Sequence, residues 1–172
     1  LCRRLYFDIT GRPPTSDELR EFLKTKDRPA LIKKLINSEG YVHHMYSFWA
    51  DLLRVKRNLN DNVGQLYGDS YIEWLKEQIR VNTPYNKLTK NVLGANGNIW
   101  ENPATGYLLR DLGMPLDNLS NTTQIFLGID MACAQCHDHP FDEWTQMDFY
   151  KTAAFFAQVQ TKNSQDGVKE HI

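Results

Sequence analysis

The sequence predicts an all-α fold, multi-helix with long loops. Three observations carry this. Apolar residues recur at i, i+3, i+4 spacing in one segment after another. No run alternates apolar and polar residues over a strand's length. Helix start signals stand ahead of the periodic stretches.

The first predicted helix follows the turn Gly11-Arg12-Pro13-Pro14. Thr15-Ser16-Asp17-Glu18 has the form of a capping box, and Leu19, Phe22 and Leu23 face inward. Pro29 stands where a first helical turn tolerates it, and Leu31, Ile32, Leu35 and Ile36 form the next stripe. Beyond Gly40 lies the strongest amphipathic signal, with Tyr41, Met45, Phe48, Trp49, Leu52 and Leu53 on one face. Residues 57–69 are polar and loop-like. A helix from about Asp69 to Val81 turns Ile72, Leu75 and Ile79 inward until Asn82-Thr83-Pro84 breaks it. Pro84 opens another helix carrying Leu88, Val92 and Leu93, and residues 94–106 are rich in Gly and Asn, a loop. A short helix over 106–112 and a longer one over 118–128 come next. The last spans about Glu143 to Val159, anchored by Trp144, Met147, Phe155 and Phe156. The expected core contains Tyr41, Phe48, Trp49, Leu52, Leu75, Phe126 and Phe155. The helical domain occupies 1–160, and 161–172 is a polar tail or a linker to a further domain.

The 172 residues are 41% apolar and 24% charged, which places the chain among globular domains. Twenty Lys and Arg against 21 Asp and Glu give a net charge of −1, without the basic footprint of a nucleic-acid or anionic-membrane binder. No apolar run spans a bilayer. The chain opens on Leu1, as expected of a piece cut from something longer.

Three cysteines cannot build a disulfide scaffold. Two of them form Cys133-Ala134-Gln135-Cys136-His137, a Cys-X-X-Cys-His run. Four chemistries compete for it. Two thiols at this spacing reach both vinyl groups of one haem, while the next imidazole meets the iron. Cys133, Cys136, His137 and His139 offer a zinc set crowded into seven residues, whereas structural zinc usually draws on two segments. A redox dithiol usually follows a strand, and none is predicted here. The last possibility is an inert buried pair.

The run Cys133-Ala-Gln-Cys-His-Asp-His-Pro-Phe-Asp142 with Glu143-Trp144-Thr145-Gln146, Phe149-Tyr150 and Ala153-Ala154-Phe155-Phe156 resembles the planctomycete-type cytochrome c domain family. So do Arg3-Arg4-Leu5-Tyr6-Phe7-Asp8-Ile9-Thr10-Gly11-Arg12-Pro13-Pro14 and Trp49-Ala50-Asp51-Leu52-Leu53-Arg54. Pro84-Tyr85-Asn86-Lys87-Leu88 and Phe126-Leu127-Gly128 complete a match that runs through about 1–160. The resemblance implies a cytochrome c-like domain of a large exported protein, usually upstream of a companion cytochrome-associated domain. It implies haem c on Cys133 and Cys136, with His137 as proximal iron ligand. The implied job is electron transfer with a redox partner, and the implied compartment is periplasmic or cell-surface. Members often carry a His before the Trp at position 49, where this chain has Phe48. The rival expectations are a haem enzyme with an open distal position, and a metal-stapled interaction module without catalysis.

Met45, His44 and Met114 are the candidates for a distal iron ligand, and each has an ordinary alternative in core or surface. Asp138 and His139 either orient His137 or cap the loop before Pro140. Asp142 is expected to cap the last helix. Arg3 and Arg4 sit side by side, so at most one can face a haem propionate. Cys2 is expected to be a small buried hydrophobe. An open or water-occupied distal site is expected of this chain.

Overall fold

The structure is a computed structural model that describes residues 1–57, 67–111, 113–159, 161–163 and 169–171. It is all-α with loops, as the periodicity requires. Most of the loop expected at 57–69 lies outside the described residues, as does Leu112. Contacts divide the chain into two compact units: residues 1–51 with 75–83, and residues 52–74 with 84–172.

In the first unit, α1 (Cys2–Thr10) is a helix the sequence analysis did not predict. Cys2, Leu5, Tyr6 and Ile9 do follow a helical spacing, but no side chain caps the start to announce it. Gly11 ends it at φ +68°, and a Cβ there would stand 2.6 Å from the His44 ring. That position needs glycine twice over, for its backbone and for its neighbour. The predicted capping box is present at α2 (Ser16–Thr25), where Thr15 and Glu18 satisfy each other's backbone N–H groups. Asp27 caps α3 (Arg28–Ile36), with Pro29 in its first turn. Cys2, Leu5, Tyr6, Leu31 and Leu35 form a buried cluster that Ile9, Leu19, Phe22 and Ile32 flank. The expectation for Cys2 holds, and burial pushes its thiol pKa up. α4 (Glu39–Leu52) follows, and α5 (Tyr67–Arg80) contributes to both units.

Several core expectations fail. Phe48 is 57% exposed and Phe155 74%, and Leu23, Ile36 and Met147 are exposed as well. On α4 it is Val42 that is buried. Of the stripe drawn through position 48, Leu53 is fully buried, Tyr41, Met45, Trp49 and Leu52 are half-buried, and Phe48 alone is exposed.

In the second unit α6 (Tyr85–Leu93) buries Leu88 and Val92. A short 3-10 turn over 103–105 leads into α7 (Gly106–Leu109), all of it buried. Gly106 lies against Tyr71 so closely that a Cβ would sit 2.6 Å from that ring. α8 runs Pro115–Thr122 and continues as a π turn to Leu127, ended by Gly128 at φ +69°. It begins earlier than the expected 118 because Pro115 supplies the first turn. The last helix, α9 (Gln146–Ala157), begins later than expected, since Thr145 is its cap and Asp142 is not. Asp142 instead accepts the backbone N–H of Glu143.

Three short strands were not predicted. β1 (Gly97–Asn98), β2 (Thr161–Asn163) and β3 (Lys169–His171) form an antiparallel sheet in the order β1–β3–β2. Strands of two and three residues are too short to show alternation. The backbone of the expected tail is therefore partly paired.

Candidate functional site

The cysteine motif occupies a 3-10 turn (132–135) and the bend that follows, between α8 and α9. One of its residues and the one before the turn face inward. Met131 and Ala134 are buried with Leu119 of α8 and Phe149 and Ala153 of α9, and Trp144 packs against this cluster. The alternation turns Cys133, Cys136 and His137 outward, and all three are exposed. Both thiols are free. The apolar residues of the turn thus serve as its anchor and the reactive ones face solvent.

Polar contacts then fix the bend. The backbone N–H of Gln146 donates to Asp138 Oδ1 at 2.8 Å, so Asp138 helps cap α9. The Gln146 side chain and the Tyr150 hydroxyl both donate to the Gln135 carbonyl at 3.2 Å. The His139 N–H donates to the Trp144 carbonyl. Thr145 and Asp148 form a capping box, and the Thr145 hydroxyl beside Asp148 holds that carboxyl below its ordinary pKa. The Asp138 carboxylate and His139, whose two expected roles were orientation and loop capping, are seen here in the second, while the Asp138 backbone carbonyl meets His137.

The two imidazoles hold their protons differently. His137 Nδ1 stands 2.6 Å from the Asp138 carbonyl oxygen, which can only accept. Nδ1 therefore carries the proton, and the Nε2 lone pair is left for a metal. His139 Nδ1 accepts the Phe141 N–H at 3.2 Å, so in the neutral ring its other nitrogen bears hydrogen. Of the two, His137 has a lone pair to offer. No group of three or more His, Cys, Asp or Glu side chains gathers as a metal site among the described residues. Covalent haem asks for a different donor set, two thiols and one imidazole, and that set is present on one turn. The residues fit the group.

Met45 lies half-buried on α4, in the other unit from the motif. His44 is half-buried against Gly11, His43 is exposed, and Met114 is exposed at the start of α8. Arg3 and Arg4 are both exposed, and Arg4 pairs with Asp8 at 3.5 Å.

One polar assembly escaped the sequence. Arg110 and Asp111 are both buried, with Arg110 Nε donating to Asp111 Oδ2 at 2.9 Å. A second guanidinium nitrogen donates to the Leu53 carbonyl, and the group lies 4.2 Å from the Tyr107 ring centroid. Tyr107 in turn hydrogen-bonds Thr122 at 2.8 Å, and burial raises its pKa. Adjacent Arg and Asp read as a surface pair in a sequence, and nothing local marks them as buried.

No helix among the described residues is long and apolar enough to cross a membrane. A family model described as PSCyt2, protein of unknown function (DUF1549), matches residues 1–161. No curated protein and no solved structure matches the chain.

Proposed function

The chain belongs to the PSCyt2 family, and on the strength of its cysteine turn we propose that it is a haem-binding electron-transfer domain. Cys133 and Cys136 hold one haem c by thioether bonds, and His137 Nε2 is the proximal ligand. One observation carries this: a free imidazole nitrogen, fixed by the Asp138 carbonyl, stands one residue after two exposed free thiols at Cys-X-X-Cys spacing.

Attachment needs no oxidant. Each thiol adds its S–H across one vinyl group, sulfur to the inner carbon and hydrogen to the terminal one, with nothing lost. When bound, haem supplies a one-electron iron couple. The chain's own groups do the rest. The Asp138 carbonyl holds the His137 tautomer and its orientation. Buried Ala134 and the bonds from Gln146 and Tyr150 keep the turn from shifting when the oxidation state changes. Covalent haem is attached outside the bacterial cytoplasm, so the domain works in the periplasm or at the cell surface, within a larger exported protein, with a redox partner. A bound haem would keep one side for water or a small ligand unless the chain supplied a second ligand, and Phe48, where members of the resembled family often carry His, has no atom to ligate iron.

The test is a denaturing gel stained for haem, with protein made in a host that has haem-attachment machinery. Colour should travel with the chain and vanish in the double variant Cys133→Ala, Cys136→Ala. A colourless wild-type band overturns the proposal. High-spin spectra that respond to carbon monoxide and imidazole are expected. Low-spin spectra lost in Met45→Ala, His44→Ala or Met114→Ala would instead identify a distal ligand.

A further inference from the structure

The bend between the motif and α9 carries a side chain that its own packing does not use. Phe141, after Pro140, is 95% exposed. It is not on a loose tip. Its N–H is bound to His139, the next bond runs from Glu143 N–H to Asp142, and the loop is closed by His139 to Trp144 and by Gln146 to Asp138. An aromatic ring held out at a fixed position has already lost the backbone freedom that binding would otherwise cost, as interface anchors do.

The charged side chains of residues 130–143 are all acidic, and the first basic one after them, Lys151, acts on Asp148 of α9. Asp130, Asp138, Asp142 and Glu143 are all exposed, and none joins an ion pair among the described residues. No Lys or Arg occurs anywhere from Asp111 to Tyr150. Uncompensated carboxylates around an exposed ring repel lipid phosphates and nucleic-acid backbones and attract ammonium and guanidinium groups.

We propose that the 138–143 loop is a docking surface for a protein that presents an apolar pocket ringed by Lys and Arg, with Phe141 as the anchor. The proposal rests on the haem assignment only for the partner's redox character.

The probe is a lysine-rich mitochondrial cytochrome c, whose exposed haem edge is ringed by lysines. Its binding to the haem-loaded protein is measured by titration calorimetry at about 10 mM and about 200 mM salt, where screening differs strongly. Binding at low salt should weaken at least about tenfold at high salt. Phe141→Ala should weaken it about tenfold at fixed salt, and Asp142→Asn with Glu143→Lys should weaken it further. Both variants should keep wild-type haem stain and circular dichroism. Absence of binding at low salt, or variants that bind like wild type, overturns the proposal. Loss of haem in Phe141→Ala also overturns it, by assigning the ring to the haem pocket. Tight binding to phosphatidylserine vesicles would make the loop a membrane element instead. A colourless wild-type chain that still binds the probe through Phe141 would sink the haem assignment and leave the docking surface standing.

Discussion

The α1–α3 cluster holds its shape by turning side chains inward, while the 130–146 segment ties its backbone down and turns its reactive side chains outward. In the first, Cys2, Leu5, Tyr6, Leu31 and Leu35 are buried. Several charges at its surface are matched: Arg4 with Asp8, Arg12 with Glu18, Arg20 with Asp17, Lys34 with Glu21. In the second, Ala134 and Met131 go inside, and Cys133, Cys136, His137 and Phe141 stay out. Its acids find backbone N–H groups in place of cations. The contrast teaches how a site differs from a scaffold. A scaffold leaves little unspent, whereas a site keeps polar and apolar groups available and stabilises them by other means.

The comparison can be broken at the scaffold end first. Arg110→Ala leaves buried Asp111 with only Arg54 at 3.8 Å and Asn121 at 3.5 Å, and should cost about 3 kcal/mol, seen as a large fall in the urea midpoint. A wild-type midpoint would show that the pair is dispensable. Leu35→Ala, in the N-terminal cluster, should cost about 2–5 kcal/mol through lost burial and a cavity, read from the same urea midpoint. Thr145→Ala removes the cap of α9 and should cost about 1 kcal/mol, with faster amide exchange at Gln146 to Asp148 and little change near α1.

Acid titration sharpens the same contrast. The Arg12 guanidinium, bonded to Glu18, holds that carboxyl down at about 2. A depressed carboxyl stabilises the fold above its unfolded value, near 4.5, and this contribution is lost as pH falls from there toward 2. The pair is partly solvated, so the effect is about 1 kcal/mol. Melting temperatures measured from pH 5 to pH 2 should fall less steeply in Glu18→Gln than in wild type; parallel slopes would refute the linkage. Smallest of all, Phe141→Ala should change stability by no more than about 0.5 kcal/mol, because the ring is already in water.

How much was legible follows from how local each signal is. The helix of Thr15 to Glu18 could be read because both halves of the box lie three residues apart. Cys133, Cys136 and His137 stood out because their order and spacing are rare, and the structure turns all three outward. The edges of α9 were misread because Asp142 and Thr145 are both good caps, and the choice went to the one whose partner, Asp148, sits at the third position. Phe48 and Phe155 were misplaced because a stripe lists residues on one side of a helix, and which of them are covered depends on what packs there: Leu53 and Ala153 are buried beside them.

The sequence by itself determined the helical class, the capping at α2 and α3, and the chemistry available at the cysteine turn, all of which depend on residues within a few positions of one another. Only the tertiary structure decided that Arg110 would be buried with its guanidinium on the carbonyl of Leu53, 57 residues away. It also decided that His137 would keep its Nε2 lone pair and His139 would not, and that Phe141 would stand in water on a closed loop. Burial is a property of what surrounds a residue, most of it distant in sequence, and the two imidazole bonds, though local, depend on a loop conformation that contacts with α9 hold.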